Sequence, residues 1–156
     1  LNDNPIIGTY NVHQEGSADM YYKGANVLHT LRQVVNDDEK WHSVLAGLNK
    51  EFYHQTVTSK QIENYMSEHI GVDLNTFFNQ YLRTIKIPIL EYKLSDKGME
   101  YRYQNVVANF YLPIKINVLK QSILIEPEQN WKTLFGAQKI SFNENYYIEY
   151  KEVLKD

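Results

Sequence analysis

The chain has 156 residues, a net charge of −3 and no cysteine. That length suits one or two small soluble domains with a real core. The missing cysteines exclude disulfides, thiolate catalysis and cysteine-based zinc sites. The weak acidity gives no electrostatic case for nucleic acid or an anionic membrane surface. No apolar run approaches the roughly 20 residues that span a bilayer, so no membrane span is expected. The first residue is Leu1 rather than Met, which reads as a processed protein or a piece of a longer one.

Residues 1–16 contain Pro5, Gly8 and Gly16, show no sustained period, and read as a lead-in loop. Ser17 is a plausible N-cap, and Asp19 suits the positive end of the helix that follows. That helix is predicted to run to Val35, with Tyr21, Ala25, Leu28, Leu31 and Val35 as its inner stripe. Asn36-Asp37-Asp38 breaks the pattern and starts a second helix, where Trp41, Val44, Leu45, Leu48 and Phe52 recur at helical spacing. Thr58 and Gln61 form a capping box for a third, which ends at Gly71. Asp73 is expected to cap a fourth, with Leu74, Phe77, Phe78, Tyr81 and Leu82 buried, and Pro88 forbids its continuation.

Near residue 86 the period changes from three-to-four to two. Leu90, Tyr92 and Leu94 alternate with Glu91 and Lys93, and Asp96-Lys97-Gly98 turns the chain into Met99, Tyr101 and Tyr103. Ile114, Ile116 and Val118 alternate again. Ile123-Leu124-Ile125 reads as a short buried run, and segments 131–135, 140–142 and 146–150 complete about seven strands. The expectation is an α+β chain: a helical bundle of about four helices over residues 1–86, then a seven-stranded antiparallel β-sandwich of immunoglobulin-like type over 87–156.

Few motifs carry chemistry. Glu39-x-x-His42 and Glu51-x-x-His54 match a di-iron spacing, but that chemistry needs facing helices. Here both pairs lie on one helix, about 18 Å apart along its axis, and cannot share a metal. His13, His29 and His69 have no ligand-spaced partner. Asp37-Asp38-Glu39 reads as a helix N-terminus rather than a cation site. The thirteen tyrosines raise the idea of a stacking surface for a glycan or peptide, although alternating aromatics are also simply good strand formers. Taken by spacing alone, Tyr21 is a core tyrosine, and Gly24 beside it marks close approach by another segment, offsetting a helix cost of roughly 1 kcal/mol.

Tyr21-Tyr22-Lys23-Gly24-Ala25, followed by Val27-Leu28 and Leu31, resembles the Tyr-x-Lys-Gly-Ala segment of the aminopeptidase N family of zinc metallopeptidases, the gluzincins. Glu51-Phe52, Val57-Thr58, Gly71-Val72-Asp73-Leu74, Phe77-Phe78-Asn79-Gln80-Tyr81-Leu82 and Pro88-Ile89-Leu90 look like that family's downstream helices and the start of its sandwich. The resemblance covers residues 17–95 and implies a fragment that follows the zinc site: the end of a catalytic domain, then the sandwich. His-Glu-x-x-His is absent, so the resemblance implies no cofactor in this chain and zinc in the parent protein. It implies a peptide substrate in the parent, an upstream catalytic domain as partner, and a periplasmic or exported location by the family's habit. By the same resemblance Tyr21 is the catalytic tyrosine. A phenol is ordinarily neutral at pH 7 and can donate one hydrogen bond to an oxygen on which negative charge grows. The alternatives are a peptide- or glycan-binding module and a purely structural interdomain element.

Overall fold

The computed structural model describes residues 2–8 and 19–154. Ser17, His13 and Gly16 therefore lie outside the described residues. Four helices come first: α1 (Asp19–Val35), α2 (Asp38–Glu51), α3 (Ser59–Ile70) and α4 (Asn75–Arg83). Seven strands follow: β1 (Ile89–Ser95), β2 (Gly98–Gln104), β3 (Ile114–Val118), β4 (Gln121–Ile125), β5 (Lys132–Phe135), β6 (Ile140–Phe142) and β7 (Glu149–Glu152).

The helix ends are set by local polar chemistry. Asp37 caps α2, its carboxylate accepting the Lys40 N–H at 3.0 Å. The capping box at α3 is complete. The Thr58 N–H donates to Gln61 Oε1 at 2.9 Å, and the Gln61 N–H donates back to Thr58 Oγ1 at 3.3 Å. Gly71 closes α3 at φ 80°, in the left-handed region glycine tolerates. At α4 the cap falls one residue later than expected. Leu74 holds the cap position, buried in the core, while Asp73 accepts the Asn75 N–H at 2.9 Å. The carboxylate still serves the first turn, but from outside the cap.

α1 departs most from expectation. Its buried residues are Lys23, Val27, Thr30 and Leu31. Tyr21, Ala25 and Leu28 face outward, so the helix is rotated about its axis relative to the predicted stripe. Only Leu31 belongs to both readings. Gly24 does not mark a close approach either, since a Cβ there would meet nothing within 4 Å.

The strands form a four-stranded sheet, β5-β2-β1-β7, and a three-stranded sheet, β4-β3-β6. Every pairing is antiparallel except β1 with β7, which is parallel. The inward-facing Leu90, Met99, Tyr101 and Tyr103 of one sheet and Ile114, Ile116, Val118 and Ile125 of the other are buried in one cluster. Tyr92 and Phe142 meet across the two sheets at 4.8 Å between ring centres. The run 123–125 is not wholly buried: Leu124 is exposed and only Ile125 is fully inside, because β4 is an edge strand with one face open. Tyr146 and Tyr147 precede β7 rather than open it.

Helices and strands share that buried cluster. Tyr81 on α4 is fully enclosed, and its hydroxyl donates to the Tyr147 carbonyl at 2.7 Å. Gln80 beside it is saturated. Its amide nitrogen donates to the Lys86 and Asn105 carbonyls at 2.8 and 3.1 Å, and its oxygen accepts the Val107 N–H at 2.7 Å. Buried polar groups need such partners, and here they bind α4 to the loops of the sandwich.

Candidate functional site

The first turns of α1 hold the candidate site. Tyr21 is 72% exposed and Tyr22 77%, with Met20, Ala25 and Leu28 exposed beside them. Among the described residues the Tyr21 hydroxyl has no hydrogen-bond partner, so it is not the satisfied core tyrosine that spacing suggested. The two phenols leave the helix about 100° apart.

The opposite side of the helix is held by a neighbour that sequence reasoning left out. Lys23 lies two positions on, about 200° around the axis, and is only 3% exposed. Its ammonium donates to the Thr84 carbonyl at 2.8 Å and to Asn2 Oδ1 at 3.0 Å. Thr84 is the C-cap of α4, so the charge sits at the negative end of that helix. Asn2 in turn donates to the Ile85 carbonyl, and the Ile7 N–H donates to the Leu82 carbonyl at 2.8 Å, which lays residues 2–8 along the end of α4. Burial pulls the Lys23 pKa down, against a smaller upward pull from Asp19. One turn and more along the same face, Thr30 Oγ1 donates to the Asn26 carbonyl at 2.8 Å and accepts the Tyr147 N–H at 2.9 Å. α1 is thus held at two polar points seven residues apart, with Val27 and Leu31 packed between and beside them.

The signal for this face was present in the sequence. Lys23, Val27, Thr30, Leu31 and Val34 recur at i, i+4, i+7, i+8 and i+11, as good a helical stripe as the one containing Tyr21. A lysine at its head disguised it, although a lysine stem readily buries when its ammonium finds acceptors.

The other candidates do not converge. Glu39, His42 and Glu51 are exposed on α2, and His54 is exposed in the turn after it, so the two pairs do not lie on one helix as expected. His69 stacks on Tyr65 at 3.9 Å, and His29 reaches Asn145 at 3.0 Å. Asp38 pairs with Arg32 through two contacts of 2.8 Å. Among the described residues no three histidines, aspartates or glutamates come together as a metal site. The sequence has no His-Glu-x-x-His, and the described residues bring together no ligand set of the kind a catalytic zinc takes. Of the tyrosines after residue 87, Tyr101, Tyr103 and Tyr146 are buried, Tyr92, Tyr147 and Tyr150 are partly buried and Tyr111 is exposed. No helix among the described residues is long and apolar enough to cross a membrane.

Comparison with known proteins gives a fold match. No family model matches the chain, and no curated protein does. Among solved structures it is similar to aminopeptidase A of Legionella pneumophila in complex with aspartic acid, with a TM-score of 0.67 at 18% identity. The match covers 86% of this chain and 18% of that one. The chain therefore has an aminopeptidase-like fold and spans under a fifth of the length of the solved protein it matches.

Proposed function

We propose that this chain is part of a zinc-dependent metallo-aminopeptidase-like protein. In that reading the helical half, residues 1–86, ends the catalytic domain, and the strands of 87–156 brace it. The zinc would be held by residues outside this chain, so no step is assigned to it here. What this chain contributes is Tyr21. As water adds to a peptide carbonyl, negative charge develops on the carbonyl oxygen. A phenol fixed on a rigid helix and aimed at that oxygen donates a hydrogen bond that is stronger in the transition state than in the substrate.

The observation that carries the reading is the exposure of Tyr21 on a helix whose opposite face is pinned at Lys23 and Thr30. A large aromatic with an unengaged hydroxyl, flanked by exposed Met20, Tyr22 and Leu28, suits a wall of a cleft better than a free surface. The same patch favours this reading over an autonomous binding module, and the burial of Tyr101, Tyr103 and Tyr146 weakens the glycan- or peptide-stacking alternative.

The test is direct. In the intact gene product, Tyr21→Phe is expected to lower kcat for peptide hydrolysis by about 10²–10³, the loss of one oxyanion donor, with KM little changed. Turnover within threefold of the parent would refute the role. The coding sequence upstream of Leu1 should contain His-Glu-x-x-His.

A further inference from the structure

We infer that Lys23 is a positioning residue: its buried ammonium sets the rotation of α1 and thereby the direction in which Tyr21 points. The inference rests on the reading of Tyr21 given above and extends it to the group that aims it.

The argument starts from how a helix packs. An apolar stripe alone fixes rotation loosely, because side chains such as Val27 and Leu31 make contacts of similar worth over a range of angles. α1 shows this ambiguity in its own sequence, where two stripes sharing Leu31 run at helical spacing, and the one that is buried is the less apolar, with Lys23 and Thr30 in it. Hydrogen bonds are directional and resolve it. Thr30 anchors the far part of the helix to the Tyr147 N–H. Lys23 anchors the near part, about half a turn from Tyr21, to the α4 C-cap carbonyl and to Asn2. Rotating α1 toward the competing stripe would bury Tyr21 and drag the Lys23 ammonium from both acceptors.

The cost of that choice points the same way. A charge buried to 3% exposure loses most of its hydration, and its downward pKa shift is the sign of that loss. Methionine or leucine could fill the same volume without that loss, and replacing a buried ion by an apolar group is often neutral or stabilising. Stability therefore does not require an ammonium here. Direction does: with Lys23 held on the inner side, Tyr21 is placed on the outer one.

The test is a double-mutant cycle on peptide hydrolysis by the intact gene product, with Lys23→Met, Tyr21→Phe and the pair. Lys23→Met is expected to melt within a few degrees of the parent, to lower kcat about tenfold or more, and to leave KM within twofold. In the Tyr21→Phe background the same substitution should cost nothing further, because there is no hydroxyl left to aim. Lys23→Arg, which keeps charge and reach, should recover part of the loss. In the intact gene product, amide exchange in the second turn of α1, whose N–H groups are the first with intrahelical acceptors, should speed up at least tenfold in Lys23→Met, while that of α2 and α3 stays unchanged. An equal loss of kcat in both backgrounds, or unchanged exchange, would overturn the positioning role while leaving that of Tyr21 intact. Unchanged kcat in Tyr21→Phe itself would overturn both.

Discussion

At Gly24 a methyl group would meet no atom within 4 Å, whereas at Gly47 it would run into the Tyr65 hydroxyl. The two glycines sit on neighbouring helices, so the same substitution should have opposite signs. Gly24→Ala gains helix propensity and should raise stability by about 0.5–1 kcal/mol, read as a higher midpoint in urea. Gly47→Ala gains the same propensity but must move a ring held edge-on by Phe52 at 5.7 Å and stacked on His69 at 3.9 Å. Overpacking of that kind costs about 1–3 kcal/mol, so the midpoint should fall. A lower midpoint for Gly24→Ala would mean that another segment does approach it. Lys23 belongs to this scale too. It is the one residue of the Tyr-x-Lys-Gly stretch whose side chain is inside, and its neighbours acquire their exposure from that fact.

Among the elements, α4 does the most to join the two halves. It is nine residues long, too short to be stable by propensity, and it survives by burying Phe77, Phe78, Gln80 and Tyr81. Tyr81→Phe keeps the ring but leaves the Tyr147 carbonyl without its donor in a dry site. The expected cost is about 1–3 kcal/mol, measurable by chemical denaturation, and a change under 0.3 kcal/mol would mean that another group or water serves that carbonyl. α3 offers a local comparison. Thr58→Ala removes the hydroxyl that accepts the Gln61 N–H, leaves the Thr58 N–H bond to Gln61 Oε1, and should cost about 0.5–2 kcal/mol, with no effect on the sandwich. Lysines cap two helices through space: Lys23 at Thr84, and Lys40 at the Ile70 carbonyl at 2.8 Å. Each ties one helix to the negative end of another, which local sequence patterns do not reveal.

For the whole molecule the pH response follows from one paired carboxylate on β1 and from buried phenols on α4 and β2. Burial pushes the Glu91 carboxyl up, but hydrogen bonds from Arg102 and Lys151 outweigh it and hold its pKa below the usual value. Its contribution is therefore present above the unfolded carboxylate pKa, near 4.3, and is lost as pH falls through the depressed folded value. At the other end, burial raises the pKa of Tyr81 and Tyr103 well above the ordinary phenol value. From about pH 10 upward the unfolded chain releases phenol protons that the folded chain keeps, so stability falls as pH rises. Lys23, shifted down, works in the opposite sense below pH 10, but one lysine is outnumbered by the buried tyrosines above it. Urea midpoints from pH 3 to 11 should trace a plateau with both shoulders, and Glu91→Gln should remove part of the acidic one. An alkaline limb that stays flat to pH 11 would contradict the enclosure of Tyr81 and Tyr103. A chelator should leave the melting temperature of this chain unchanged, since its described residues form no metal cluster.

The sequence by itself determined the order and type of the elements. The helix start at Asn36-Asp37-Asp38, the capping at Thr58 and Gly71, the stop before Pro88 and the change from helical to alternating period near residue 86 act between neighbours, and all are found where expected. Only the tertiary structure decided which face of α1 is buried, that Leu124 lies outside, and that β7 runs parallel to β1. The reason is physical. A helix with two comparable stripes has no local preference between them, and a buried lysine is affordable only when acceptors arrive from elsewhere. Here they come from Thr84 and Asn2, 61 and 21 residues away in the chain. The outward aim of Tyr21, on which the proposed chemistry depends, comes from those distant oxygens rather than from the residues beside it.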